Sequence, residues 1–239
     1  MKTLIQLPIE CLLSTIDSFQ RLFFLSKDQT QIVEFNLINH KLTNRFSIQL
    51  NSKSQVIQIY ANCDQLILHN SENQVYLWEN ENQTLTQFED AYFHLKMKDN
   101  LLVLVSTDNI TIVFHDLQVK SRQIGRLDDN AGQCEALCLS NRNKYDNEQY
   151  LFVICSDRLL RMFSVSTGEQ MVKIFINMTL DPFLAIVNDR LLLKIADRLC
   201  LIQIIDRKSL PDRSYFQNDV KCPLFENDYW LRCHDIHFA

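Results

Sequence analysis

Glycine is almost missing from this chain. Its 239 residues include three, Gly125, Gly132 and Gly168, too far apart to build a loop that wraps phosphate in backbone amides. Neither G-x-G-x-x-G nor G-x-x-x-x-G-K-(S/T) can be written anywhere, so nucleotide binding by those devices is excluded. Positive charge is in deficit too: 24 Lys and Arg stand against 29 Asp and Glu, for a net charge of −5. The basic footprint that phosphate-backbone binding needs is absent, and nucleic acid is not an expected partner. No apolar run approaches the roughly 18 residues of a membrane span, and Gln6, Pro8 and Glu10 interrupt any signal-peptide core, so no membrane partner is expected and the chain reads as cytoplasmic. The eight cysteines contain no C-x-x-C, and Cys155 and Cys200 lie inside apolar runs, the setting of buried free thiols. Cys222, Cys233, His234 and His237 offer ligand types without a zinc-finger spacing. The six histidines are scattered, and His69, between an apolar run and a turn, reads as a solvated imidazole. No catalytic, cofactor or metal residue is nominated, and an enzyme is not expected.

What the chain does have is a repeated grammar. Residues 149–170 give the clearest copy: an apolar run, Ser156-Asp157-Arg158, a second apolar run, then Ser166-Thr167-Gly168, which reads as strand, tight turn, strand, turn. Apolar runs of the same kind at Leu22–Leu25, Leu66–Leu68, Leu101–Val105, Leu151–Ile154 and Leu191–Leu193 each precede an acidic turn residue, and predict buried second strands of successive sheets. Those turn residues, Asp28, Glu72, Asp108, Asp157 and Asp197, recur at intervals of 36–49 residues, around the ~40–45 residues of a four-stranded propeller blade. The longest interval holds a polar insertion, Asn141 to Glu148. Cys63-Asp64, Asp99-Asn100 and Asn188-Asp189 stand between apolar runs, where Asn and Asp tolerate left-handed turn backbone in place of glycine. The opening admits two readings. Lys2 to Leu7 looks like an outer strand, and Ile9 to Phe19 fits either the inner strand of a first blade or a short helix.

The stretch Asp157 to Gly168 resembles the third-strand signature of WD-repeat propellers, and Ser71 to Glu79, with Trp78 in place, resembles it again. Phe163 and Trp78 are thereby expected at equivalent buried positions, and Phe35, Phe114 and Gln203 stand where the family's tryptophan would be. No Gly-His dipeptide occurs, so the family's histidine-to-tryptophan hydrogen-bond network is not carried over. The resemblance implies an all-β fold, a β-propeller of four-stranded antiparallel blades. Five blades fall within 1–210, and 211–239 is left as a partial further blade or tail. Tyr229 to Cys233 would be the inner strand of a sixth blade, which implies an open or incomplete ring, with further blades supplied by the same or another chain.

A propeller of this kind implies a non-catalytic protein–protein interaction scaffold whose partners are other proteins or peptides. Two alternatives stay open: the sensing or autoinhibitory propeller of a multidomain NACHT-type NTPase, and an F-box-like substrate adaptor, since residues 7–22 resemble the opening of an F-box. In a four-stranded blade the turn after the second strand and the link between blades share one rim. Asp28, Glu72, Asp108, Arg158 and Arg198 are therefore expected on one face, with 141–148 on the other. Asp108, Arg158 and Arg198 are the candidate partner-binding residues, the arginines being suited to grip a carboxylate or carbonyl.

Overall fold

The computed structural model describes residues 10–50, 54–62, 65–79, 84–88, 90–98, 100–106, 110–119, 121–142, 147–176, 183–187, 190–195, 198–206 and 229–236. Among these every regular element is a strand, and the twenty strands form five four-stranded antiparallel sheets. The chain divides into two compact units, Met1–Phe93 and His94–Ala239.

The first unit holds two sheets. One is built of β1 (Cys11–Ile16), β2 (Arg21–Ser26), β3 (Gln31–Asn36) and β4 (Lys41–Ser47), the other of β5 (Val56–Asn62), β6 (Gln65–Asn70), β7 (Val75–Glu79) and β8 (Thr84–Gln87), each a meander in chain order. The second unit carries β9 (Tyr92–Lys98) to β12 (Ser121–Arg126), with β10 (Leu101–Ser106) and β11 (Thr111–Asp116) between them. Next come β13 (Cys134–Leu139), β14 (Tyr150–Cys155), β15 (Leu159–Ser164) and β16 (Gln170–Phe175). The last sheet is β17 (Leu184–Val187), β18 (Arg190–Ile195), β19 (Arg198–Asp206) and β20 (Tyr229–Ile236). Two expectations are corrected here. The described part of that opening segment, residues 10–19, contributes strand β1 and no helix, which removes the basis for the F-box reading. Tyr229 to Cys233 does not start a sixth sheet: β20 pairs with β19 along its length and is the fourth strand of the fifth sheet. The segment Lys2 to Leu7 lies outside the described residues.

The second strands hold the sheets' cores, and β14 shows how. Side chains alternate along a strand, so a continuous apolar run feeds two faces. Leu151, Val153 and Cys155 enter one cluster with Leu101, Val103, Val105 and Phe114 of the third sheet. Phe152 and Ile154 enter another with Leu191 and Leu193 of the fifth. Leu66 and Leu68 of β6 likewise meet Phe23, Leu25 and Ile32 of the first sheet. The expected second-strand runs are buried at 66–68, 101–105 and 151–154 throughout, and at Phe23, Leu25, Leu191 and Leu193 within the other two, where Leu22, Phe24 and Leu192 are half-buried.

Strand register tests the aligned aromatics. Trp78 stands opposite Leu66, Phe163 opposite Leu151 and Phe35 opposite Leu22, each four residues before the end of its second strand. All three are buried. In the third sheet that place, opposite Leu102, belongs to His115, and Phe114 stands opposite Val103 facing the core shared with the fourth sheet. In the fifth it belongs to Ile202, opposite Leu191, and not to Gln203. The acidic turn residue misaligns the aromatics because the turns differ in length by a residue, which flips a side chain to the other face. Truncating Trp78 or Phe163 to alanine should cost about 3–5 kcal/mol each in urea unfolding, the range for a large aromatic in a packed core. Unchanged midpoints for both would contradict the packing.

Candidate interaction rim

The turns between second and third strands in the first, second and fourth sheets follow one plan. Each of the three opens on the last residue of the second strand, and three positions later the amide bonds back to that residue's carbonyl: Gln29 to Ser26 (2.9 Å), Asn73 to Asn70 (3.1 Å) and Arg158 to Cys155 (2.9 Å). All three donors are left-handed, at φ of 59°, 62° and 63°. This is a type I turn closed by one left-handed residue, a position that glycine usually fills. With so few glycines the chain places Gln, Asn and Arg there. Asn73 and Asn147 take left-handed backbone, and so do Gln20, Gln29, His40 and Arg158. Of the three dipeptides expected to supply such backbone, only Asn100 lies within the described residues.

Side chains then fix the turns. Asp28 accepts Ser26 Oγ at 2.5 Å and Thr30 Oγ1 at 2.8 Å, and these hydrogen bonds hold its carboxyl below the usual range. In the second sheet the turn former is Asn70 rather than Glu72: its Oδ1 accepts the amides of Glu72 (3.0 Å) and Gln74 (2.9 Å). His69 beside it is buried, contrary to a solvated imidazole, with Nε2 donating to the carbonyl of Tyr92 at 3.0 Å and Nδ1 3.2 Å from Gln58 Oε1.

The fourth sheet carries a device that the sequence reading missed. Arg161 on β15 is fully buried, and its guanidinium meets Asp128 Oδ2 through Nε (3.1 Å) and Nη2 (3.0 Å). Nη1 donates to Asp157 Oδ1 at 3.0 Å, and Nη2 also contacts Asp157 Oδ2. Asp128 lies in the link between β12 and β13, and Lys173 Nζ of β16 reaches the same carboxylate at 2.9 Å. One cation therefore ties the inter-sheet link to the β14–β15 turn. Lys173, against the pull of partial burial and together with Arg161, holds the Asp128 carboxyl below its ordinary value. Gly132 belongs to the same junction: at φ +71°, an added Cβ would fall 2.1 Å from Ser156 Oγ, the atom that accepts the Gln133 amide at 2.9 Å. The signal for this brace was the charged residue at the centre of the apolar run Leu159 to Phe163, a residue type that is buried only when paired.

Against this frame the three predicted rim residues separate. Arg158 is exposed at the left-handed corner, one residue after the braced Asp157. Arg198 begins β19, the corresponding place after the second strand of the fifth sheet, and only its backbone is described. Asp108 lies outside the described residues. Arg158 and Arg198 thus each stand three residues after the last residue of a second strand. Cys134, Cys138 and Cys155 are free and buried, and burial pushes the thiols of Cys138 and Cys155 up to about 12 and about 11.

No protein-family model and no curated protein matches this sequence. Solved structures do. Hsv2 of Kluyvelomyces marxianus superposes at a TM-score of 0.55 with 10% identity, over 77% of this chain and 60% of that one. The N-terminal domain of Nup159 gives 0.49 and 19%, over 84% of this chain and 60% of that one. The same figures hold for the complex of S. cerevisiae Dbp5 L327V with Nup159, Gle1 H337R, IP6 and ADP. This chain therefore spans 60% of the length of each of these three chains. At 10% identity the likeness to Hsv2 is one of fold, and together with five meander sheets it defines a protein of β-propeller class.

Two measurements check the rim's physics. Arg158→Gly should raise stability by roughly 0.5–1 kcal/mol, because glycine has no Cβ to strain the left-handed corner. Asp157→Ala should lower it by about 3–5 kcal/mol by leaving a buried charge half-compensated. Arg161→Met should cost less, since the two carboxylates it frees are partly exposed and can hydrate. The reverse order in urea titrations would count against the brace. Because the folded Asp128 carboxyl titrates below its unfolded value, its contribution is complete above the unfolded value and is lost as pH falls through the folded one. Asp128→Asn should accordingly flatten the loss of stability below about pH 4, the ordinary range of an aspartate.

Proposed function

We propose that this chain is a non-catalytic protein-interaction module that presents the turns between its second and third strands to partner proteins or peptides. The observation that carries the reading is the braced corner of the fourth sheet. A fully buried arginine locks Asp157, and the next residue, Arg158, projects into solvent at fixed backbone geometry. A side chain held this way loses little further freedom on binding, so its hydrogen bonds contribute more to affinity. Arg158, Arg198 and Asp108 form the working set, with the arginines suited to a carboxylate or backbone carbonyl. The WD-type reading is supported by the matching places of Trp78 and Phe163 opposite the second strands. Action in the cytoplasm, and completion of the ring by further blades from the same or another chain, belong to the same proposal.

The test is a proximity-labelling comparison in the parent cells, with the native chain set against Arg158→Glu/Arg198→Glu. Charge reversal at both turns should remove a defined subset of labelled proteins while the far-ultraviolet dichroism stays that of a β protein. An identical labelled set with the fold intact would defeat the rim assignment.

A further inference from the structure

Cys134 and Cys155 stand opposite each other where β13 begins and β14 ends. Among the described strands no other two cysteines are paired in register. Glu135 is the extra, exposed residue of a bulge, which leaves Cys134 on the core side with its partner. Both side chains belong to the core shared by the third and fourth sheets, at 1% and 0% exposure, and both are free thiols. Directly opposed residues of an antiparallel pair have Cα atoms roughly 4.5–5.5 Å apart, inside the range of about 4.4–6.8 Å that a disulfide spans. Cys138, the third buried thiol of this sheet, stands opposite Phe152 and enters the other core, on the far face from both.

The pair sits at the braced corner. The Ser156 amide donates to Gln133 O at 2.8 Å and the Asp157 amide to Ala131 O at 3.2 Å, so the neighbours of the two cysteines already join the inter-sheet link to the β14–β15 turn. Cys155 also supplies the carbonyl that closes the left-handed corner at Arg158. We propose that Cys134 and Cys155 form a reversible cross-strand disulfide, a redox site that locks this corner covalently. The oxidant is a small disulfide of the oxidised-glutathione class. One cysteine thiolate attacks it, forming a mixed disulfide and releasing one thiol; the other cysteine thiolate then attacks the protein sulfur and expels the second. The protein gains one S–S bond and loses two hydrogens, and the reagent, taking both protons and both electrons, is reduced to two thiols. Burial raises both thiols, that of Cys155 to about 11, so exchange waits for the junction to open and is slow in the closed fold. Once formed, the bond holds link and turn together whether or not Asp157 and Arg161 pair. The site rests on strand register and is independent of Arg158 binding a partner.

The test incubates the full chain with excess oxidised glutathione, or with reduced glutathione as control, and maps its peptides by mass without reduction. Oxidation should give an intramolecular bond joining 134 to 155, with the far-ultraviolet dichroism of a β protein unchanged and full reversal by dithiothreitol. The thermal midpoint should rise by several degrees, since the cross-link restricts the unfolded chain. Asp157→Ala should speed the reaction several-fold by loosening the junction, and should lower the midpoint less in the oxidised chain than in the reduced one. Cys138→Ala should leave both the bond and the gain in midpoint as they are. Absence of the 134–155 linkage in the folded native chain would overturn the proposal. So would its formation only in denaturant, or a cross-linked chain whose midpoint does not rise.

Discussion

Burial on both faces of the second strands is the constraint on which the rest depends. A strand covered on one side reads as an alternation, but β10 and β14 are apolar at nearly every position and buried along their length, and the two faces of β14 meet different cores. Apolar content concentrated in these strands leaves β4 open: it is exposed at six of its seven positions, and only Phe46 turns inward. The turn that follows each second strand inherits a fixed position from the most deeply buried element of its sheet. A turn in that position can display a side chain without moving.

Scarce glycine shapes the second level. The three glycines stand where a Cβ would strike another part of the chain, as at Gly168, whose Cβ would lie 2.7 Å from the Ile124 carbonyl oxygen. None is left for the corners at residues 29, 73 and 158, so ordinary side chains adopt left-handed backbone there, and flanking polar groups such as Ser26, Asp28 and Asn70 hold the turns shut. In the fourth sheet the same task falls to Arg161 acting from inside. Breaking that arrangement from the carboxylate side strands a charge in the interior, which is why the two halves of the brace are unequal in stability terms.

The fold was legible because continuous apolar runs, turn residues and a spacing near forty residues all pointed to one architecture. What failed was register. Counting from the acidic turn residue put Phe114 at the tryptophan place, but hydrogen-bond pairing puts His115 there, one residue and one face away. Counting also ended the fifth sheet at β19, because nothing in the sequence says that Tyr229 pairs back with Asp206 across a 22-residue connection. The braced corner was half visible: Asp157 and Arg158 stood out as turn residues, but Asp128, 33 residues before Arg161, could be joined to it only by folding.

Native-state amide hydrogen exchange addresses the two-faced burial most directly. Residues 66–68, 101–105 and 151–154 should exchange only through global unfolding and carry the highest protection in the chain, while the fourth strands β4 and β8 exchange through local opening at much lower cost. Protection that is uniform across second and fourth strands, or highest in the fourth, would contradict the account.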